Sequence, residues 1–278
     1  MERLFRLGRD DTDFRLAPLW TKSKRRGWFK QLSSYSREDV SAAAQRRLED
    51  VVLAYVRRAL RETGDRHLVL AGGVFANVLL NHRLWQLEQV DGVFVHPAMS
   101  DQGIAAGAAL AHVAEAEGLQ PSPIPHVYLG PGVDDDEIGE LLEREGLGSE
   151  RHPDLSDQVA ELIVAKKVVA RVAGRMEYGP RALGHRSILV HTGDPSVNDW
   201  LNDRLDRSEF MPFAPATLAE HAADCYADYG PGVEHTARFM TITLRCTEAM
   251  KKASPAVVHV DGTARPHVVH GSTSPGLH

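Results

Sequence analysis

Apolar positions in this chain follow two rhythms, one of about 3.6 residues and one of short unbroken runs, and the two alternate. From Ser36 the first rhythm holds: Val40, Ala44, Leu48, Val51, Val52, Tyr55, Val56 and Ala59 fall on one stripe of a helix. Asp39, three residues after Ser36, makes a weak form of the capping box, and Gly64 is placed to end the helix. The second rhythm follows at once. His67-Leu68-Val69-Leu70-Ala71 predicts a short buried strand that runs into Gly72-Gly73-Val74. A helix then begins near Ala76, with Asn77 and Asn81 four residues apart on one face. Val93-Phe94-Val95 predicts the next strand, and Ser100-Asp101-Gln102-Gly103 leads into a helix of small residues from Ile104 to Leu110.

Gln120-Pro121-Ser122-Pro123-Ile124-Pro125 interrupts both rhythms and reads as a linker. Beyond it, Asp134-Asp135-Asp136-Glu137 caps a helix through about Arg144, and a second helix covers roughly Ser156 to Lys166. A buried strand ends at Val172, and Ser187 to His191 reads as another. Ser196 to about Arg204 forms a short helix; Arg238 to Leu244 and Ala256 to Val260 read as strands. Alternating strands and helices predict an α/β fold.

Composition narrows the class. Apolar content of 43% and charged content of 25% are ordinary for a globular protein. No apolar run reaches the ~20 residues of a membrane-spanning helix. Cys225 and Cys246 match neither a metal-ligand spacing nor a disulfide framework, which makes a reducing cytoplasm the default. A formal charge of −6 argues against a nucleic-acid partner. The basic cluster Lys22-Ser23-Lys24-Arg25-Arg26, near Trp20 and Trp28, reads as a solvated loop.

Chemistry concentrates in Gly174-Arg175-Met176-Glu177-Tyr178-Gly179-Pro180-Arg181-Ala182-Leu183-Gly184-His185-Arg186-Ser187, at the end of the strand that closes on Val172. Glycines let backbone amides approach a ligand, and arginines fork onto phosphate or carboxylate oxygens. The reading is an anion site; the alternative is a structural loop whose arginines pair with Glu177 and nearby carboxylates. Gly72 and Gly73, between strand and helix, aim backbone amides where a phosphate would be stabilised, although a tight strand–helix turn needs glycine anyway. Asp101 either caps the helix that follows or ligates a metal bridging a nucleotide. Asp261-Gly262-Thr263-Ala264-Arg265 is either a further ligand-facing strand end or a polar turn.

Five segments carry a resemblance: Leu68 to Asn81 (LVLAGGVFANVLLN), His96 to Gly107 (HPAMSDQGIAAG), Gly174 to Ile188 (GRMEYGPRALGHRSI), Phe210 to Pro215 (FMPFAP) and Val260 to Pro266 (VDGTARP). In this order and spacing the chain resembles the O-carbamoyltransferase family of the nodulation and antibiotic-tailoring type. The resemblance implies the C-terminal part of an actin-like ATPase domain over residues 1–120, followed by a YrdC-like α/β domain over 126–278. It implies carbamoyl phosphate and ATP as substrates that combine to carbamoyl-adenylate and pyrophosphate, and transfer of the carbamoyl group to a hydroxyl acceptor beside a divalent metal such as iron(II) or manganese(II). Arg175, Arg181 and Arg186 would hold phosphate oxygens, with Glu177 orienting one of them. Arg207 and Arg265 would bind substrate; Gly72, Gly73, Asn77, Asn81 and Gly103 would face the nucleotide; Asp101 would be a metal ligand.

The chain also departs from that pattern. It is about half the family's usual length, and lacks its histidine-rich metal motif, its phosphate-binding turn and its closing Asn-Thr-Ser-Phe-Asn motif. Leu205 and Met211 stand where many relatives carry lysine and arginine. The expectation is a chain truncated at both ends, with most metal ligands elsewhere. It would be a homodimer or be completed by an N-terminal segment, and it would self-associate through Ser36 to Gly118. The alternative function is a ligand-binding remnant or a subunit that needs a separate N-terminal chain.

Overall fold

The stripe that begins after Ser36 forms the long helix α1 (Arg37–Thr63). The Ser36 hydroxyl accepts the Asp39 amide at 3.0 Å, and Gly64, at φ 75°, closes the last turn onto the Leu60 carbonyl. The structure, a computed structural model, describes residues 5–7, 14–16, 27, 30–118, 120, 122–206 and 212–278. Strands β1 (Phe5–Leu7) and β2 (Phe14–Leu16) precede α1, and β3 (His67–Leu70), α2 (Val78–Trp85), β4 (Gly92–Val95) and α3 (Ile104–Glu117) follow it. Next come α4 (Asp135–Arg144), α5 (Leu155–Val164), β5 (Val169–Val172), β6 (Arg186–Leu189), α6 (Ser196–Arg204) and β7 (Ala216–Leu218). The chain continues through α7 (Ala222–Cys225), α8 (Glu234–Ala237), β8 (Leu244–Arg245), α9 (Glu248–Ala253), β9 (Thr263–Ala264) and β10 (His267–Val269).

This is the expected mixture of helix and strand, but the strands pair in twos. Pairs β1–β2, β5–β6 and β8–β9 are antiparallel, β7–β10 is parallel, and β3 lies beside β4. Two compact units result: residues 1–68 with 83–92, and residues 69–82 with 93–278. In the first, Glu49 of α1 is buried, accepts from Gln45 Nε2 at 2.8 Å and lies 3.7 Å from the Arg83 guanidinium. Arg66 forks onto both Asp91 oxygens at 2.5 and 2.7 Å.

The second unit runs through the proline-rich segment without dividing there, because its early and late residues are knitted together. Val93 N donates to Gly232 O at 2.8 Å, Thr243 N donates to Val78 O at 3.3 Å, and the Thr236 hydroxyl donates to Val93 O. The core beside the arginine loop is Val127, Tyr128, Leu183, Phe239 and Met240.

Two segments expected as strands fold otherwise. Of Arg238 to Leu244 only Leu244 is in a strand, since Met240 takes a left-handed backbone at φ 54° and the buried Thr236 and Thr241 hydroxyls turn to nearby carbonyls. Ala256 to Val260 is a 3₁₀ turn over Pro255–Val257 instead, opened by a proline that cannot donate to a ladder. Among the described residues no helix is long and apolar enough to cross a membrane.

Candidate functional site

Strands β5 and β6 form a hairpin with Val172 opposite Arg186, and the arginine-rich stretch is its connection. The strand before it is only half buried: its residues alternate, and Val172 is 59% exposed. The connection is nonetheless tightly organised. Ala173 N donates to His185 O at 3.0 Å, which lengthens the hairpin, and Gly184 N donates to the Ser187 hydroxyl at 2.9 Å. A second chain segment zips against it: Tyr178 N to Val127 O at 2.6 Å, Met176 N to Pro131 O at 2.8 Å and Gly130 N to Met176 O at 2.9 Å.

Glu177 organises the interior of the loop. It is buried, and its Oε1 accepts the amides of Leu183, His185 and Arg186 at 2.7, 2.8 and 3.1 Å. Burial pushes its pKa up, but the hydrogen bonds from its own amide and those three outweigh burial and hold it below the usual carboxylate range. The partners of that oxygen are therefore main-chain amides of the loop, where an arginine was expected.

Several arginines also serve the backbone. Arg175 donates from Nε to Gly130 O at 2.9 Å and from Nη2 to Leu129 O at 2.6 Å. Arg186 reaches Ala173 O and His185 O, both at 2.9 Å, and Gly174 O at 3.1 Å. Arg171 donates to Gly184 O at 2.5 Å. Arg175 and Arg186 thus brace the loop. Arg181 sits at its apex, half-buried, with Nε shielded from solvent.

One other motif segment meets this loop within the second unit, and a further one packs on that segment. Gly179 takes φ 106°, and a Cβ there would lie 3.1 Å from Pro97 O, so the loop can rest on the His96-Pro97 turn only with glycine at this position. The Tyr178 and His96 rings meet edge-on at 6.0 Å. On the far side of that turn, Gly72 N donates to Met99 O at 2.5 Å, and a Cβ on Gly73 would touch the Ser100 hydroxyl at 3.5 Å. Three segments far apart in the chain therefore form one surface.

Not every expected residue lies on it. Asn77 precedes α2, and its side-chain oxygen caps that helix at Leu80 N, 3.0 Å away. Asn81 is fully buried and donates to Phe75 O at 2.8 Å and Thr241 O at 2.7 Å, which makes it a strut of the core. Asp101 is exposed, and among the described residues no three His, Cys, Asp or Glu side chains converge as a metal cage would require. The described residues do not by themselves fit a resident metal. Arg265 follows β9 and is half-buried, while Asp261 turns inward on the Thr263 amide and hydroxyl at 3.0 and 2.7 Å. Arg207 and the start of the Phe210 to Pro215 motif lie outside the described residues.

Gly103 has a packing reason of its own. A Cβ there would sit 2.2 Å from Ala98 O, closer than any real contact. Gly103→Ala is expected to lower stability by about 1–3 kcal/mol, or to prevent folding, because backbone must move to admit it; denaturant unfolding measures this.

Sequence reasoning missed the aromatic and histidine lining behind the loop. Tyr128 stacks on His185 at 3.6 Å with the planes 10° apart, and its hydroxyl donates to Leu183 O at 2.9 Å. His185 donates from Nδ1 to Arg175 O at 2.8 Å, which leaves Nε2 towards the Ser274 hydroxyl at 3.5 Å. His126, His267, His270 and Arg238 line a recess there with room for about one water, roughly 20 Å³. The one available signal was the position of His185 inside the loop motif.

His267 is buried, and that burial pushes its pKa down to about 4. Its neutral form is favoured by folding, so its contribution is complete above the unfolded value of about 6.5 and is lost as pH falls towards 4. Stability is expected to fall by about 3 kcal/mol over that window, and His267→Gln should flatten the decline in a pH series of thermal melts.

Residues 16–110 match the carbamoyltransferase N-terminus family and residues 160–278 match the carbamoyltransferase C-terminus family. The chain is 36% identical over 244 residues to nodulation protein NolO of Bradyrhizobium diazoefficiens, covering 85% of this chain and 44% of that protein. It is 33% identical over 238 residues to nodulation protein U of Sinorhizobium fredii, covering 84% and 40%. An uncharacterized protein of Methanocaldococcus jannaschii is 31% identical over 255 residues, covering 87% and 40%. The chain belongs to the carbamoyltransferase family. It spans less than half the length of each of these relatives.

Proposed function

We propose that this chain serves carbamoyl transfer from carbamoyl phosphate to a hydroxyl acceptor, with ATP as second substrate. On this reading residues 1–120 belong to an actin-like domain and residues 126–278 to a YrdC-like domain. Water cleaves carbamoyl phosphate to carbamate and inorganic phosphate, with loss of a proton to solvent; a carbamate oxygen then attacks the α-phosphorus of ATP, and pyrophosphate leaves as carbamoyl-adenylate forms. The acceptor hydroxyl attacks the carbamoyl carbon, AMP departs and the hydroxyl proton is lost. Arg181, with Arg207 and Arg265, holds phosphate oxygens and neutralises charge on the leaving group. Arg175, Glu177 and Arg186 keep the loop in shape for it. Gly72 and Gly73 present the nucleotide-facing turn. A reaction that consumes ATP suits the cytoplasm.

The observation that supports this most is the meeting of three motif segments: Gly179 on Pro97, Tyr178 against His96, and Gly72 on Met99. The test is pyrophosphate release from ATP by the full chain. Release that depends on carbamoyl phosphate is expected; release indifferent to carbamoyl phosphate overturns the reading.

A second reading, a ligand-binding subunit completed by another chain, is favoured by α3. That helix has no buried residue, and its Ile104 and Leu110 are 67% and 52% exposed. Tight carbamoyl-phosphate binding without pyrophosphate release would select it.

A further inference from the structure

Val168 precedes β5 and Val190 follows β6, so both stand at the open end of the hairpin, away from the arginine loop. With Val197 and the Trp200 indole they wall an open recess of about 280 Å³, and Lys166 and Asp194 stand on its rim. That volume falls just below the usual range for ligand sites, ~300–1,000 Å³, and suits a molecule of one ring with a short head. Trp200 is 49% exposed, and the Arg204 guanidinium lies 5.9 Å from its ring centroid.

The rim carries both signs of charge. Lys166 takes a left-handed backbone at φ 59°, where α5 ends. Among the described residues its ammonium has no carboxylate within 4.0 Å. Asp194 uses one oxygen to accept the Ser196 amide and hydroxyl at 3.0 and 2.8 Å, just ahead of the first turn of α6. Those bonds first, and the field of Lys166 after them, hold its carboxyl below the usual range. Lys166 thus stands near enough to favour the charged form of Asp194 without pairing with it. A simple anion would meet Asp194 there, and a simple cation would meet Lys166. A zwitterion answers both.

We propose that this recess binds a free α-amino acid with an apolar, ring-sized side chain, its carboxylate on Lys166, its ammonium on Asp194 and its side chain against Trp200 and the valines. The site is separate from the arginine loop and does not depend on the carbamoyl-transfer reading.

Calorimetric titration of the full chain with L-phenylalanine, phenylacetate and phenethylamine tests it. Saturable binding of L-phenylalanine is expected, with each singly charged analogue weaker by about tenfold or more. Lys166→Met and Asp194→Asn are each expected to weaken L-phenylalanine by about tenfold, and Asp194→Asn to leave phenylacetate bound no more weakly. Asparagine keeps a side-chain oxygen able to accept from Ser196, so that variant isolates the charge. Equal affinity for the three ligands, or no saturation by L-phenylalanine below about 10 mM, overturns the proposal whether or not the variants fold.

Discussion

Arg181→Ala is expected to release pyrophosphate from ATP and carbamoyl phosphate at no more than about a hundredth of the parent rate. A cation placed where charge develops in the transition state typically contributes that much, because the loop holds it in place before the ligand arrives. Arg181→Lys should recover a minor part, since an ammonium keeps the charge and loses the fork that grips two oxygens. The measurement pairs initial rates with thermal melts. A retained rate, or a rate loss matched by a fall in melting temperature, would remove Arg181 from its role. Arg175→Ala makes the contrast: its donors hold Gly130 O and Leu129 O, so melting and activity should decline together.

Glu177→Ala is expected to be the most damaging single change to stability in the loop, costing about 2–4 kcal/mol in denaturant unfolding. It would orphan the amides of Leu183, His185 and Arg186, two of which lead into β6. Glu177→Gln keeps an acceptor oxygen without the charge and should cost less. The sign of the pH effect follows from the depressed carboxyl. Its contribution is present above the unfolded value and lost as pH falls through the lower folded value, so the gap between wild type and Glu177→Gln should narrow in acid. A gap that is constant down to strongly acid pH would mean that the charge does not act through these amides.

The α/β class, helix α1 with both of its caps and the hairpin strands could be read in the chain because each is a local pattern: a stripe, a cap residue, an apolar run. So could the segments that converge, because glycine at 72, 103 and 179 marks places where backbone meets backbone or turns left-handed. What those residues do was harder to read. Glu177 among arginines suggested an ion pair, yet amides nearby in the loop reached it first, and no sequence rule ranks a backbone donor above a guanidinium. Asn81 looked like a ligand-facing partner of Asn77 on a helical face. It is buried because Thr241, 160 residues later, brings a carbonyl to it. The strand expected at Arg238 to Leu244 failed because its threonine hydroxyls alternate like strand residues, yet Thr241 turns to Thr236 O and Thr243 to Val78 O.

The loop between β5 and β6 also bears on how this chain can vary in length. A surface connection ordinarily absorbs an extra residue, since closing a slightly longer loop changes its entropy little. Here one carboxylate grips amides six, eight and nine residues ahead of it, while Arg175 reaches back 45 and 46 residues to the carbonyls of Gly130 and Leu129. An inserted or deleted residue anywhere between Glu177 and Leu183 would put every one of those amides out of register at once. The stretch behaves as a ruler, and carbamoyltransferases that share its bracing should vary the identity of its residues far more readily than their number.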